Sequence, residues 1–347
     1  MRLFSEQKTL FCLFGIYDLV VMRRKVDYSK YIERPHPVLK YEDVSEEEKE
    51  EKLRKAGDVA KKILDTLREK AKPGVKAIEL CQLADKMIKD AGIKPGFPLN
   101  VSINHVAAHY TSPIDDTLVL KKGDVVKFDI GTQVDGFIAD TAITVDLGKN
   151  PDLVKASKEA TETAIELIRP GTDTRNLGAI IEEIITGYGF KPVINLSGHT
   201  VERFVVHGQK TVPLTAKKGG SIVEEGDVFA IETFASTGAG EVRGDPTRIN
   251  IFRASPVTPK VRSAAARKIY KIASEEFQGL PFAERWLYDY LPKREIVLGM
   301  RELKRVEGII GYNVLVEIDK NALVSQHEHT LIVTSDGPKV TTNGKKE

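Results

Sequence analysis

Two aspartates, Asp129 and Asp140, lie in a stretch whose residue types could hold a cation. In this stretch, residues 124–146, apolar and β-branched runs flank a centre that contains glycine, which predicts a β-hairpin. With a turn centred on Val134 and Asp135, the two aspartates are directly opposite each other, with Cβ atoms about 4.5–5.5 Å apart. Two carboxylates this close among apolar neighbours must share a proton or hold a cation.

Three more candidate ligands occur further along the chain. His199 follows a glycine, Glu232 ends the apolar run Val228–Ile231, and Glu328 lies between two histidines in a β-like segment, residues 323–333. A charge in such a strand is costly unless it is paired or bound to a metal. Taken singly, each residue also fits a plain structural role: a turn aspartate, a solvent-facing glutamate, or a capping or core histidine.

Together, the five residues favour a metal site. Carboxylates with one imidazole suit Mn, Fe, Co or Zn. Four carboxylates offset the charge of two divalent ions, and two such ions about 3.5–4 Å apart can hold a bridging hydroxide and polarise a carbonyl. The chemistry expected of this set is therefore hydrolysis at a carbonyl or phosphoryl group.

Composition excludes several classes of protein. The chain has 347 residues, and its 52 Lys and Arg nearly balance its 50 Asp and Glu, so we expect neither a specific nucleic-acid partner nor a membrane surface. Its two cysteines argue against a disulfide scaffold and a cysteine-rich zinc site, and indicate a reducing compartment, the cytoplasm. No apolar run reaches the roughly 18 residues of a membrane span. Serine-hydrolase elbow, P-loop and H-E-x-x-H patterns are absent from the sequence.

The elements that must position these residues form a duplicated pattern. Residues 1–44 are expected to be a poorly ordered extension, and a helix capped by Ser45 follows and runs to about Ala71. Two later segments then match: residues 120–129 (LKKGDVVKFD) and 223–232 (VEEGDVFAIE). The match predicts two α/β halves, residues 73–150 and 170–255, with Asp129 and Glu232 meeting at a pseudo-twofold axis.

A different texture at residues 259–310 predicts an inserted helical subdomain. Helices are expected at Val261–Phe277, Phe282–Leu291 and Arg294–Val306, followed by a strand pair, Ile309–Ile318 and Ala322–Val324. Three helices and a wing resemble a winged-helix module. Residues 260–307 hold 11 basic and 7 acidic residues, a balance that favours a structural insert over a DNA-binding one. The catalytic domain is then expected to comprise residues 45–258 and 311–347.

Five motifs in order resemble the type 2 methionine aminopeptidases of archaea. They are VSINHVAAHYT, KFDIGTQVDGFIADTAIT, LSGHTVERFVVHG, FAIETFASTGAG and QHEHT. The resemblance implies the α+β pita-bread fold and removal of the initiator methionine from nascent chains when the second residue is small. It also implies nascent polypeptides as partners, met in transient contact with the ribosome, and we expect a monomer.

The resemblance further implies roles for individual residues. Asp129 would chelate one divalent ion, Asp140 and Glu328 would bridge two ions, and His199 with Glu232 would bind the other; Co, Mn, Fe, Zn or Ni could fill the site. His109 and His207 would hydrogen-bond the peptide and the developing tetrahedral oxygen, and Glu232 would shuttle the proton. The methionine pocket would be lined by Phe97, Val206 and Tyr312.

Two departures and two alternatives accompany the resemblance. Residues 1–44 have no counterpart in the archaeal proteins, and Gly244–Ile251 lacks the pocket histidine of eukaryotic relatives. One alternative is a non-catalytic pita-bread protein that binds ribosomes or RNA, but such proteins have lost the metal ligands. The other is a proline-specific peptidase of the same fold, but those proteins usually carry a longer N-terminal domain and lack the inserted helices.

Overall fold

The computed structural model describes residues 33–217 and 219–344, so residues 1–32 of the predicted extension lie outside the described residues. The first helix confirms the helix predicted after Ser45: the Ser45 hydroxyl accepts a hydrogen bond from the Glu48 amide, and glutamates fill the first turn. The α-helices are Glu46–Lys70 (α1), Ala77–Asp90 (α2), Pro151–Leu167 (α3), Thr174–Gly187 (α4), Ala264–Lys271 (α5) and Lys293–Arg305 (α6). Within the described ranges, none of the helices has the length and apolarity needed to cross a bilayer.

A nine-stranded antiparallel sheet carries the candidate ligands. Its main path runs β1-β3-β4-β14-β8-β6-β7, with β15 paired to β14 and β5 paired to β8. These strands are Lys94–Ile103 (β1), Val125–Val134 (β3), Phe137–Asp146 (β4), Lys191–Pro192 (β5), Ser197–Thr200 (β6), Thr211–Pro213 (β7), Val228–Ser236 (β8), Val324–Thr334 (β14) and Gly337–Val340 (β15).

Two three-stranded sheets complete the strands of the described ranges. One sheet contains Val106–Ala108 (β2), Val242–Asp245 (β9) and Val314–Glu317 (β13). The other contains Ile251–Ala254 (β10), Phe282–Ala283 (β11) and Ile309–Tyr312 (β12).

The two halves predicted from the duplicated sequence flank a strand from near the end of the chain. In the first half, α1 and α2 pack their apolar faces on β1 and β3, with Ile63, Leu80 and Phe128 in the shared core. In the second, α3 and α4 form a core with β8 that includes Ile181 and Phe229. Strand β14 separates the halves, because it pairs with β4 on one side and β8 on the other.

The hairpin exists, but its predicted register is wrong. Strands β3 and β4 pair Val134 with Phe137, so the two-residue turn is Asp135-Gly136 and Asp140 lies opposite Gly131, not opposite Asp129. Both turn residues have positive φ, 52° and 83°, as a tight hairpin turn of this type requires. The shift is two residues, so Asp129 and Asp140 remain diagonal neighbours on one face of the sheet.

The inserted segment has a different structure from the three-helix expectation. Its first piece is α5 extended by a π-helical turn at Ile272–Glu276, and its last piece is α6. The middle piece begins as β11 and continues as a short 3₁₀-helix, Glu284–Asp289. The predicted strand pair is wrong, because β12 pairs with β10 and β13 pairs with β2 and β9. Each of these partners comes from an earlier part of the chain, which a local pattern does not reveal.

Candidate metal centre

Strand register gathers three of the candidate carboxylates on one face of the sheet. Asp129 pairs with Ala142 across the hairpin, and Glu328 pairs with the same Ala142 across β4 and β14. Paired residues face the same side of a sheet, and residues two apart on one strand do so as well. Asp140, two residues before Ala142, therefore shares the face of Asp129 and Glu328.

The second half adds the other two candidates by the same rule. Glu232 on β8 pairs directly with Glu328 on β14. His199 on β6 pairs with Ala230, which lies two residues before Glu232 on β8. All five candidate ligands thus belong to one face, although the outermost two are about 200 residues apart in the chain.

The side chains converge as well as the backbones. Asp140, His199 and Glu328 each offer a ligand atom, and these three atoms lie within 4.8 Å of one another. The Nε2 of His199 is 3.9 Å from a carboxylate oxygen of Asp140. All five candidates line a single cavity. This donor set, hard oxygens with one imidazole, fits a divalent transition metal.

The electrostatics of the cluster call for a cation. Burial raises the pKa of Asp129 to about 7. Burial, followed by repulsion from neighbouring carboxylates, raises the pKa values of Asp140, Glu232 and Glu328 well above the ordinary range. One oxygen of Asp129 and one of Asp140 are buried and have no hydrogen-bond partner among the described residues. Divalent ions would neutralise these carboxylates and use the unpartnered oxygens.

The pKa and the orientation of His199 both suit it to bind a metal as a neutral ligand. Burial, and then the neighbouring His207, lower the pKa of His199 to about 3, so its ring is uncharged near neutral pH. Its Nδ1 lies 3.3 Å from the Thr200 carbonyl, an arrangement in which Nδ1 donates its proton and Nε2 keeps a free lone pair beside Asp140. A backbone carbonyl in this position fixes the ring orientation of many metal-bound histidines.

Gln326 is a site residue that our sequence analysis missed. Its side-chain amide donates to Asp129, Glu232 and Glu328 at 3.3, 3.2 and 3.5 Å, so one amide group spans both halves of the cluster. The signal was present in the sequence, since Gln326 precedes Glu328 by two residues on a strand and must share its face.

The predicted substrate residues surround the same cavity, which has a volume of about 70 Å³. His109 has a φ of 65°, an uncommon backbone conformation for a residue other than glycine, and its Nδ1 lies 3.2 Å from the Asn313 carbonyl. Burial, and then His207, lower the pKa of His109 to about 4. The residues that we expected to contact substrate, and that all line the cavity, are Phe97, His109, Val206, His207 and Tyr312.

Glu33 is a second neighbour of the site that the sequence did not indicate. Its carboxylate lies 2.9 Å from His207 Nδ1 and accepts a hydrogen bond of 2.5 Å from the Tyr312 hydroxyl. We had expected residues 1–44 to be poorly ordered, and no motif near Glu33 pointed to the site. The described part of that extension, residues 33–44, packs on the rest of the protein.

Comparisons with known proteins place this arrangement in a family. Residues 51–272 match the model of metallopeptidase family M24. The protein named methionine aminopeptidase of Thermococcus onnurineus is 44% identical over 294 residues, which are 84% of this chain and 99% of that protein. The methionine aminopeptidase of Archaeoglobus fulgidus is 43% identical over 300 residues, 86% of this chain and 99% of that protein.

Solved structures show the same fold at lower identity. The structure of a thermophilic Arx1 aligns with a TM-score of 0.77 and 21% identity, covering 88% of this chain and 93% of that chain. A methionine aminopeptidase from Thermotoga maritima aligns with a TM-score of 0.60 and 22% identity, covering 86% of this chain and 98% of that chain. The predicted pita-bread fold is confirmed.

Proposed function

The chain belongs to metallopeptidase family M24, and from that membership we propose that it is a metal-dependent methionyl aminopeptidase. It removes the initiator methionine from nascent proteins when the second residue is small. One observation carries the proposal: a cluster of four carboxylates and one imidazole, all buried except the partly exposed Glu232, lies against an apolar pocket with two further histidines. The similarity to proteins named methionine aminopeptidase over 99% of their lengths supports it.

Five residues hold the metal in this proposal, and their charge suits two divalent ions. Asp129, Asp140, His199, Glu232 and Glu328 would together supply the ligand atoms that hold these ions. Co, Mn, Fe, Zn and Ni are all compatible with oxygen ligands and one imidazole. When bound, such ions polarise a carbonyl and make a water molecule acidic enough to act as a nucleophile at neutral pH.

The protein itself selects the N-terminal residue. Phe97 and Val206 are buried, and with the ring of Tyr312 they give the cavity an apolar wall. An unbranched thioether fills an irregular apolar pocket well, because it is flexible and polarisable. The wall therefore favours methionine over charged or polar first residues.

Two histidines orient the peptide group. Because the Nδ1 of the neutral His109 ring donates to the Asn313 carbonyl, its Nε2 is left to accept a hydrogen bond from the peptide N–H. His207, on the other side, is assigned to the carbonyl oxygen. Its Nδ1 lies 2.9 Å from the Glu33 carboxylate, which fixes the orientation of the ring and leaves Nε2 for the substrate. An oriented donor at a developing oxyanion contributes about 3–4 kcal/mol.

Glu232 carries the proton. Its carboxylate lies in the cavity beside Glu328 and Gln326. From this position it can accept a proton from the attacking water and return it to the departing amine.

We also propose the cytoplasm as the compartment and a monomer as the acting species. Sparse cysteine supports the first, and Cys81, the one cysteine in the described ranges, is buried and unpaired. The second is supported by the site, since all five metal-binding candidates come from one chain. Initiator methionine becomes accessible as a chain leaves the ribosome, so transient contact with the ribosome is part of the proposal.

The test is a peptide-cleavage assay with purified protein. We expect release of methionine from Met-Gly and Met-Ala peptides, loss of release on chelation, and recovery when Mn²⁺ or Co²⁺ is added back. Asp140→Asn should lower kcat/KM by at least about 10²-fold, because it removes a shared ligand charge. The control is Asp152→Asn on the exposed face of α3, which should leave the rate unchanged.

Three results would contradict the proposed function. The first is full turnover by the Asp140→Asn variant. The second is cleavage of X-Pro peptides in preference to Met-Gly peptides, which would indicate the proline-specific alternative. The third is the absence of bound metal together with the absence of turnover.

A further inference from the structure

The carboxylate of Glu33, which precedes the family match, is hydrogen-bonded to two residues of the proposed substrate site, His207 and Tyr312. We call residues 33–44 the N-terminal strap; its Glu33 makes four hydrogen bonds. One oxygen lies 2.9 Å from His207 Nδ1 and accepts from the Tyr312 hydroxyl at 2.5 Å. The other accepts from the backbone amides of Val206 and His207 at 3.2 and 3.0 Å. Both oxygens are therefore fully used.

The surroundings keep this carboxylate charged and in place. Its side chain is only 8% exposed, and the guanidinium of Arg253 lies 3.9 Å away. Burial by itself would raise the pKa of Glu33, but His207, Arg253 and the Tyr312 hydroxyl together lower it well below its usual range. A buried anion with this many partners is a fixed part of the structure.

The strap is anchored at two points that follow Glu33 in the chain, so Glu33 is held at a defined position. The buried His36 ring lies within hydrogen-bonding distance of the Ser255 carbonyl and of the Tyr270 hydroxyl, which belongs to the inserted segment. Towards α1, Tyr41 packs on Phe204, with ring centroids 5.2 Å apart. These contacts reduce the conformational entropy that Glu33 loses on binding His207.

Glu33 lies behind the cavity wall. His207 and Tyr312 line the cavity, whereas Glu33 does not. The carboxylate therefore leaves the space for a substrate open and restrains the two rings that border it. With Nδ1 of His207 engaged by Glu33, the remaining nitrogen, Nε2, is the one available to a peptide.

This support comes from a part of the chain that precedes the match to family M24. The match to family M24 begins at residue 51, and about one-sixth of this chain lies outside the match with the Thermococcus onnurineus protein. Glu33 precedes the matched region, so the family match does not account for its role.

We infer that Glu33 is a positioning residue for the proposed aminopeptidase reaction: the N-terminal strap supplies a carboxylate that orients His207 and Tyr312 at the substrate cavity. The inference rests on the proposed function. It makes the strap part of the active site, although the strap contributes no metal ligand and no atom that lines the cavity.

Substitution of Glu33 in the full-length, metal-loaded protein tests the inference. Glu33→Ala should lower kcat/KM for a Met-Ala peptide by about 10–100-fold, the usual effect of losing a partner that orients an active-site histidine. Glu33→Gln keeps an acceptor oxygen and should restore part of the loss. The bound metal content should equal that of the wild type, because Glu33 touches none of the proposed ligands. Glu42→Gln, an exposed charge change in the same strap, is the matched control and should be silent.

A second measurement reads the orientation of His207 without turnover. In ¹⁵N-histidine spectra, Nδ1 of His207 should carry a hydrogen-bonded proton in the wild type, and its signal should shift in Glu33→Ala but not in Glu42→Gln. This measurement separates the inference from the proposed function, because the spectrum reports on the Glu33–His207 pair even in a protein that releases no methionine.

Three outcomes would overturn the inference. The first is wild-type kcat/KM in Glu33→Ala. The second is a rise in kcat/KM, which would mean that the strap obstructs the site. The third is an unchanged His207 spectrum in Glu33→Ala, with faster hydrogen exchange over residues 33–44, which would reduce Glu33 to an anchor for the strap.

Discussion

Gln326 shows how one neutral side chain can hold a cluster of charges in place. Its amide is 3.2–3.5 Å from oxygens of Asp129, Glu232 and Glu328, three carboxylates that repel one another. A second carboxylate at this position would add to the repulsion, and an apolar side chain would leave the oxygens without a donor. An amide avoids both problems, since it donates without adding charge.

We therefore expect Gln326→Ala to weaken metal binding. Without the amide, the three carboxylates are free to move apart, and the apparent dissociation constant for Mn²⁺ should rise by about 10–100-fold. Isothermal titration calorimetry on the metal-free protein measures the change. Gln209→Ala, at an exposed position, serves as the control. An unchanged dissociation constant in Gln326→Ala would show that the strands alone fix the ligands.

At the residue scale, the charges in apolar strands stood out in the sequence, whereas the neutral residue that supports them was indicated only by its spacing from Glu328. Glu328 stood out because a carboxylate inside a β-like apolar run must have a compensating partner. Glutamine carries no such penalty when it is hydrogen-bonded, so Gln326 gave no comparable signal. Glu33 precedes the matched region in a proline-containing segment, and its partners, His207 and Tyr312, are distant in sequence.

At the element scale, the turn of the β3–β4 hairpin determines where Asp140 lies. Its register is fixed by the positive-φ pair Asp135-Gly136, and the Gly136 carbonyl accepts a 2.8 Å hydrogen bond from the Phe204 amide. A Cβ at Gly136 would lie 2.4 Å from the Phe204 ring. The turn therefore depends on glycine for two separate reasons, its conformation and its lack of a side chain.

Gly136→Ala should destabilise the protein by about 2 kcal/mol or more, the sum of a left-handed conformation and an overpacked contact. Urea unfolding followed by circular dichroism measures the change. Gly187→Ala is the control: Gly187 is the last residue of α4, and a Cβ there would meet no atom within 4 Å. It should change stability by less than about 1 kcal/mol, in the stabilising direction. Equal effects of the two substitutions would contradict this account of the turn.

The error in the predicted register of the β3–β4 hairpin also comes from this turn. An Asp-Gly pair between apolar runs is the stronger hairpin signal, and it centres the turn one position later than Val134-Asp135. Strand β14 was predicted as a strand, but its place between the halves was not, since its pairing with β4 and β8 is non-local. Side chains contribute to that pairing: the hydroxyls of Thr141 and Thr144 donate to the carbonyls of Glu328 and Gln326, each at 2.7 Å.

At the scale of the whole molecule, the site joins the two halves through buried charge. The carboxylates of Asp129 and Asp140 come from the first half, that of Glu232 from the second, and that of Glu328 from the strand between them. The fold could be predicted because the duplicated halves and the five motifs together extend over most of the chain. The strength with which the halves are held together depends on the state of these carboxylates. They are uncharged when protonated, repel one another when ionised without metal, and are neutralised when metal is bound.

The metal-free and metal-loaded proteins should therefore differ in how their stability depends on pH. The pKa of Asp129 rises to about 7 in the folded state, and those of Asp140, Glu232 and Glu328 rise well above their ordinary values. A group whose pKa is raised by folding contributes stability that is complete below its unfolded pKa and is lost as pH rises through its folded pKa. The metal-free protein should thus lose stability as pH rises from about 4, the ordinary pKa of an aspartate, through about 7, the folded pKa of Asp129, and lose more as the other three carboxylates ionise.

Two other contributions can be separated from this loss. The buried histidines His109 and His199 have pKa values lowered to about 4 and 3, so the stability they contribute is complete above their unfolded pKa of about 6.5 and is lost only at lower pH. Metal needs deprotonated carboxylates, so its binding tightens as pH rises and adds stability in proportion to RT ln(1 + [L]/Kd). Thermal unfolding with Mn²⁺ and with chelator, at pH 7 and pH 9, should show a gap in Tm that widens with pH. A gap of constant size would mean that the four carboxylates are already ionised at pH 7 without metal, and that the sheet tolerates their repulsion.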